Sequence, residues 1–248
     1  MENELIYERS QLINTSVADR WGRLRPSSML AMLQEAAGEQ CHLLGLGGDY
    51  LAPKGLFWAI IRQSVQINRL PAVGETLTVQ TWPGETTKVA YPRYYVGRNE
   101  RREELFRGVA LWLLMDMETR AMVLPGKGGV LVPGIHLEGE LPMPRSIAPA
   151  NLPQHIQRQV RYTQLDTNGH MSNTKYLDWM EDLLPAQFHK ERQLASVQIS
   201  YLAEALEGQK IDLQWGISPD GLLALEGSRP AENDADRIFA LKALYRKL

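Results

Sequence analysis

An order of elements that occurs twice limits this chain more than any other feature. Residues 5–18 alternate loosely between apolar and polar and predict a long strand. Pro26-Ser-Ser then opens a helix carrying Met29, Leu30, Leu33, Ala37, Cys41 and Leu44 at helical spacing, and Gly45-Leu-Gly-Gly48 ends it. Strands follow over 57–67, 76–82, 89–98, 105–116 and 121–124, with the charged tip Asn99-Glu-Arg-Arg-Glu between the third and fourth. Residues 109–115 are apolar on both faces, as a central strand covered on each side would be. The same sequence of events starts again at 156. A strand over 156–165 leads to a helix, then to strands over 197–201, 211–217, 222–227 and 238–245.

Between the repeats the texture changes. Residues 125–153 hold six of the fourteen prolines, several glycines and little periodicity, so they read as a link packed along a surface. The expected organisation is a unit over 1–124, a link over 125–153 and a second unit over 154–248. A chain of 248 residues is long enough for two units with real cores.

The junction of strand and helix in the second unit carries the densest polar chemistry. Asp166, Asn168 and His170 alternate with Thr167 and Gly169. If the segment is extended, the three side chains point the same way. They stand just ahead of a helix, expected from about Asn173, whose first N–H groups carry partial positive charge. Its apolar stripe is Tyr176, Leu177, Met180, Leu183 and Leu184, while Lys175, Asp178 and Asp182 take another face and Pro185 stops it. A carboxylate, an amide, an imidazole and N–H donors together can handle a carbonyl and a water. Residue types alone equally fit an Asp-Thr-Asn-Gly turn followed by an ordinary Ser172 or Asn173 N-cap.

Composition narrows the classes. Hydrophobic residues are 44% and charged ones 23%, which is globular, and the net charge of −2 offers no bulk attraction to nucleic acid or an anionic membrane. Residues 1–10 hold early acids and no apolar core, so a secretory signal is not expected, and the run 109–115 is too short to span a bilayer. A soluble cytoplasmic protein without membrane insertion follows. Cys41 is the only cysteine; it excludes an internal disulfide and a cysteine metal cluster, and reads as a small core residue.

The motif Asp166-x-Asn168-x-His170, followed by Asn173-x-Lys175-Tyr176, resembles that of the acyl-acyl-carrier-protein (acyl-ACP) thioesterases of bacteria and plants. The likeness extends to Ser200-Tyr201-Leu-Ala-Glu204, Thr81-Trp82 and Trp112-Leu-Leu-Met-Asp-Met-Glu-Thr119-Arg120. It implies an α+β double hot-dog, two tandem units each with a curled antiparallel sheet around a long helix. It implies hydrolysis of a fatty acyl-ACP thioester by water, with Glu204 as base, His170 polarising the carbonyl or sharing the proton, Asn168 orienting water or the oxyanion, and Asp166 holding its neighbours. A thiolate leaves easily, so no metal, cofactor or covalent nucleophile is required. Plant members carry a cysteine directly after the glutamate; here that position is Ala205, which points to direct attack by water.

The partner implied is an acyl carrier protein, and a homodimer is left open. Arg93, Arg98, Arg101, Arg102 and Arg107, diluted by Glu100, Glu103 and Glu104, form a candidate surface for it. The first unit's helix with Trp58, Trp82 and Trp112 is a candidate acyl tunnel. Setting the helices in register pairs 19–24 with 165–170, and the strand after each helix pairs 67–74 with 201–208, so Asp166, Asn168, His170 and Glu204 face Arg20, Gly22, Leu24 and Leu70. The first unit is then expected to shape a pocket and the second to do the chemistry. Competing readings are an acyl-CoA thioesterase, a hot-dog hydratase or dehydratase acting on acyl thioesters, and a non-catalytic acyl-binding protein.

Overall fold

The computed structural model describes residues 5–230 and 236–248; Met1–Glu4, the acidic start read above, lie outside the described residues. The chain divides into two compact units, Met1–Pro144 and Arg145–Leu248.

The first unit begins with β1 (Tyr7–Leu12), shorter than the strand expected over 5–18. Asn14 ends it, because its Oδ1 accepts hydrogen bonds from the Ser16 N–H and hydroxyl and folds the chain into a turn. Helix α1 (Pro26–Leu43) starts where Pro26 fixes its own φ at a position whose N–H has no helical partner. It closes in a Schellman motif: Gly45, at φ +69°, donates to the His42 carbonyl and Leu46 donates to that of Cys41. The inner face of α1 includes Met29, Leu30 and Leu33, all with no exposure, each worth about 1.5–3 kcal/mol of burial. The Tyr7 hydroxyl donates to Glu39 at 2.8 Å and Arg9 pairs with Glu35 at 2.7 Å, tying α1 to β1.

A short helix α2 (Gly48–Leu51) and a 3-10 turn (Ala52–Lys54) lead into β2 (Leu56–Ile67), β3 (Thr76–Pro83), β4 (Tyr91–Arg98), β5 (Glu104–Asp116) and β6 (Met122–Val123). The antiparallel order is β1-β3-β4-β5-β2, with β6 on β5. Strand β5 lies between β4 and β2, and its apolar run is buried at Phe106, Val109, Ala110 and Leu114.

The second unit contains β7 (Gln154–Gln159), a 3-10 turn (Tyr162–Gln164), α3 (Lys175–Glu181), α4 (Ala186–Glu191), β8 (Arg192–Tyr201), β9 (Lys210–Ile217), β10 (Leu222–Arg229) and β11 (Asp236–Lys247). Its antiparallel order is β8-β11-β10-β9-β7. Two expectations change here. The strand expected over 156–165 stops at Gln159 and passes into the 3-10 turn. Pro185 does not stop one long helix: α3 has ended at Glu181, and Pro185 caps the start of α4 with extended backbone (φ −69°, ψ 154°). The helix opposite this sheet is therefore a two-turn α3, packed through Tyr176 onto Phe239 with ring centroids 4.4 Å apart.

The stretch 125–153 divides between the units. In the first, Glu140 accepts from Trp82 Nε1 at 2.8 Å and the Ile135 N–H donates to the Pro83 carbonyl at 3.0 Å. In the second, the Ala150 N–H donates to Glu226 at 2.8 Å.

Both sheets also share a close approach. Gly97 faces Phe106 across β4–β5, and Gly227 faces Phe239 across β10–β11. A Cβ on either glycine would stand 2.2 Å from the ring, so only glycine admits the aromatic there.

Candidate active site

The segment 166–169 is a turn, not the extended run that would align Asp166, Asn168 and His170. Gly169, at φ +78°, donates to the Asp166 carbonyl at 3.1 Å, and the Asp166 N–H donates to the His170 carbonyl at 2.8 Å. The Asp166 carboxylate turns inward onto the backbone, accepting from the Asn168 N–H at 2.8 Å and the His170 N–H at 3.3 Å. Asp-Thr-Asn-Gly thus behaves as turn chemistry: a short side-chain acceptor and a glycine free to take positive φ are what such a turn needs. Asn168 sits exposed at its tip, away from the alternation expected of it.

The loop after β8 is stapled to this turn. The Met171 N–H donates to the Ala205 carbonyl at 2.8 Å, and His170 and Leu206 form an antiparallel bridge. Ala205 is fully buried, which leaves the flanking Glu204 turned outward. The staple sets His170 Nε2 3.2 Å from Glu204 Oε2, with side-chain exposures of 22% and 47%. An imidazole paired with a carboxylate and reached by solvent can take a proton from water or return one to a leaving group.

Two residues that sequence reasoning missed hold the loop. Arg229 donates to the Glu204 carbonyl, and Gln209 Oε1 accepts from the Leu206 N–H at 2.9 Å. No local motif marks Arg229; Gln209 has a counterpart in the first unit, Glu75, which accepts from the Ala72 N–H. Several N–H groups at the start of α3 are also already bonded: Ser172 donates to Gln164, Lys175 to Ser172 and Leu177 to Thr174. The N-cap is Thr174 rather than Ser172 or Asn173, and its side chain makes no capping bond. Burial raises the Tyr176 and Tyr201 phenols far above their ordinary pKa, so both stay neutral; Tyr201 donates to the Asn173 carbonyl at 3.0 Å.

The first unit repeats this scaffold one residue out of the register the helices suggested. Asp19 accepts from the Trp21 and Arg23 N–H groups at 2.8 and 2.9 Å, and Gly22 takes φ +76°. The Leu24 N–H donates to the Pro71 carbonyl at 2.8 Å, and Arg23 bridges Ala72. Asp166, Asn168, His170 and Glu204 therefore match Asp19, Trp21, Arg23 and Leu70. Helix starts do not fix the match, since α1 opens at Pro26 and α3 at Lys175, which set in register would pair Asp166 with Val17; the turn hydrogen bonds do.

Other expected groupings separate. Trp58 and Trp112 line a cavity of about 200 Å³ in the first unit. Trp82 packs elsewhere, with Tyr94 and Leu141. Cys41 is not a packed core residue: it is half-buried on the wall of that cavity, and its sulfur accepts from Arg93 Nη2 at 3.3 Å. Arg93 leaves the expected arginine cluster, while Arg98 and Arg107 line one pocket. Arg93 is buried, Arg107 pairs with Glu104 at 2.5 Å, Arg102 with Glu8 at 3.6 Å, and Arg98 donates to Gln80.

Models of the acyl-ACP thioesterase N-terminal and C-terminal domains match residues 4–124 and 149–230. The chain belongs to the acyl-ACP thioesterase family. Within that family it is 26% identical to a chloroplastic dodecanoyl-[acyl-carrier-protein] hydrolase of Cinnamomum camphora, over 73% of this chain and 52% of the relative. It is 25% identical to a chloroplastic palmitoyl-acyl carrier protein thioesterase of Gossypium hirsutum, over 71% and 46%. The chain spans about half the length of the curated relatives it matches.

Its fold is similar to that of an acyl-ACP thioesterase from Bacteroides thetaiotaomicron, with TM-score 0.87, 19% identity and 99% of both chains covered. A 12:0-ACP thioesterase from Umbellularia californica superposes with TM-score 0.82, 19% identity and 98% of both chains. The fold is α+β of the hot-dog type. No helix among the described residues is long and apolar enough to cross a membrane.

Proposed function

We propose that the chain hydrolyses fatty acyl-ACP thioesters, releasing a free fatty acid by attack of an activated water. The observation that carries this reading is the 3.2 Å pairing of His170 Nε2 with Glu204 Oε2 on a rigid loop-to-turn staple. Glu204, the more exposed of the two, acts as general base on water, and His170 relays the proton to the departing thiolate. A base so placed contributes about 10²–10⁴-fold. Asp166 is a positioning residue, since its carboxylate fixes the His170 backbone, and Asn168 at the turn tip meets the thioester oxygen or the attacking water. Family membership supports the thioester, and an acyl carrier protein as the partner that delivers it. A carrier-bound substrate fits a cytoplasmic enzyme.

Turnover of a panel of acyl-ACPs and acyl-CoAs, with free thiol and free acid both assayed, tests the reading. Release of fatty acid from acyl-ACP in preference to acyl-CoA is expected. Preference for acyl-CoA would move the assignment to the acyl-CoA thioesterases. An enoyl product would replace it with hydratase chemistry.

A further inference from the structure

The cavity of the first unit has an apolar wall of Ala37, Trp58, Tyr91, Pro92 and Trp112, and a cation in it. Arg93 is only 5% exposed. Its guanidinium, with five N–H donors, makes three hydrogen bonds, none to a carboxylate: to Gln40 Oε1, Thr81 Oγ1 at 3.3 Å and Cys41 Sγ at 3.3 Å. No carboxylate among the described residues pairs with it. Gln34, on the same wall, carries a buried Nε2 with no hydrogen-bond partner among the described residues. A buried charge is costly unless an opposite charge meets it, and a buried unpaired amide donor adds to the cost. An apolar cavity that keeps both is shaped for a ligand that is aliphatic along its length and anionic at one end.

We infer that this cavity binds a fatty carboxylate, with the carboxylate on Arg93 and Gln34 and the chain against Trp58, Tyr91 and Trp112. A planar guanidinium suits a carboxylate, and charge-assisted hydrogen bonds are about twice as strong as neutral ones. Two sources share this chemistry: the free fatty acid that the proposed reaction releases, and an acyl chain with a second carboxyl at its far end. The inference goes beyond the proposed hydrolysis and is read by binding alone, so either can fail without the other.

Calorimetric titration of the purified protein with saturated fatty acids, and with alcohols of equal chain length, tests it. At neutral pH the acid is expected to bind about tenfold or more tighter than the alcohol. The preference disappears as pH falls through the carboxyl range, about pH 4 to 5. Arg93→Gln removes the preference while leaving alcohol binding in place. Gly38→Phe provides a second handle, adding bulk to the lining: Gly38 lines the cavity on α1, and a Cβ there meets nothing within 4 Å. That variant weakens acid and alcohol alike, and it keeps the test informative should Arg93→Gln fold poorly.

Competition by free fatty acid against a thioester substrate, lost in Arg93→Gln, identifies the product as the occupant. A lowered KM for an ω-carboxyacyl thioester, lost in the same variant, identifies the dicarboxylic chain. Equal affinity for acid and alcohol, a preference that survives in folded Arg93→Gln, or unchanged binding in Gly38→Phe overturns the inference.

Discussion

The turn at Asp166 and the turn at Asp19 are one backbone design with two sets of side chains. In each, an aspartate Oδ1 holds two N–H groups, a glycine takes positive φ, and the residue after the turn donates to a loop carbonyl that follows a strand. In the second unit the facing positions are His170 and Glu204, 3.2 Å apart. In the first they are Arg23 and Leu70. Arg23 turns back to its own aspartate, with Nε and Nη2 at 3.1 and 3.0 Å from Asp19 Oδ2. The scaffold that sets an imidazole against a carboxylate in one unit closes a structural ion pair in the other. The same backbone therefore holds two different pairs, and residue type at two sites decides which one forms.

The most direct way to break this contrast is to remove the pair. Glu204→Gln and His170→Ala are each expected to lower turnover of acyl-ACP by about two orders of magnitude or more, with the thermal midpoint little changed. Steady-state rates beside a denaturation curve check this. A near-wild-type rate in either folded variant would leave the two units chemically equivalent.

The glycines sharpen it. Gly22 and Gly169 sit at φ +76° and +78° with nothing within 4 Å of a Cβ built on them. Alanine at either site meets only backbone strain, about 1–2 kcal/mol. Urea denaturation should find Gly22→Ala and Gly169→Ala similarly destabilised. Only Gly169→Ala should also lose turnover, by about tenfold or more, because its turn carries His170 and small displacements of reacting groups are costly. Equal losses of rate would mean that the first turn takes part in the reaction.

Arg23→Ala comes next. It opens a partly buried ion pair worth about 1 kcal/mol and should leave the rate per folded molecule unaltered. A rate loss comparable to that of His170→Ala would overturn the division of labour.

These comparisons also explain what could be read from the chain. Helix α1 and strands β2 to β5 were legible because their apolar periods are long and the ends of α1 are marked by Pro26 and Gly45. The twin arrangement was legible as an order of elements, and the match of Glu204 with Leu70 followed from the strands. The geometry of the turn was not. Asp166, Asn168 and His170 alternate in sequence whether the backbone is extended or folded, and only the Gly169 φ and the Asp166 hydrogen bonds decide between the two. The break between α3 and α4 was hidden because Leu183 and Leu184 continue the helical spacing after the helix has ended. The burial of Arg93 carries no local signal at all, since its partners Gln40 and Thr81 lie on other elements.

The smallest expected effect lies at another matched pair, Glu75 and Gln209. Each side chain accepts a backbone N–H three residues earlier, from Ala72 at 2.6 Å and Leu206 at 2.9 Å. Only Glu75 adds a two-pronged contact with Arg69, at 2.7 Å on both oxygens. The Arg69 hydrogen bonds are the main cause that holds the Glu75 carboxyl below its ordinary range; partial burial opposes them, and the Ala72 N–H helps. The folded pKa is therefore below the unfolded one. The contribution is fully present above the unfolded value of about 4.3 and is lost as pH falls through the lower folded value. Both side chains are about a third exposed, so screening limits the contribution to about 0–1 kcal/mol. Glu75→Gln converts the first-unit turn into the second-unit version, keeping the N–H acceptor and dropping the charge. Denaturation at neutral pH should show the variant slightly less stable than wild type, and the gap should close in acid below the folded Glu75 value. A gap of the same size at both pH values would assign the difference between the two turns to side-chain shape, not charge.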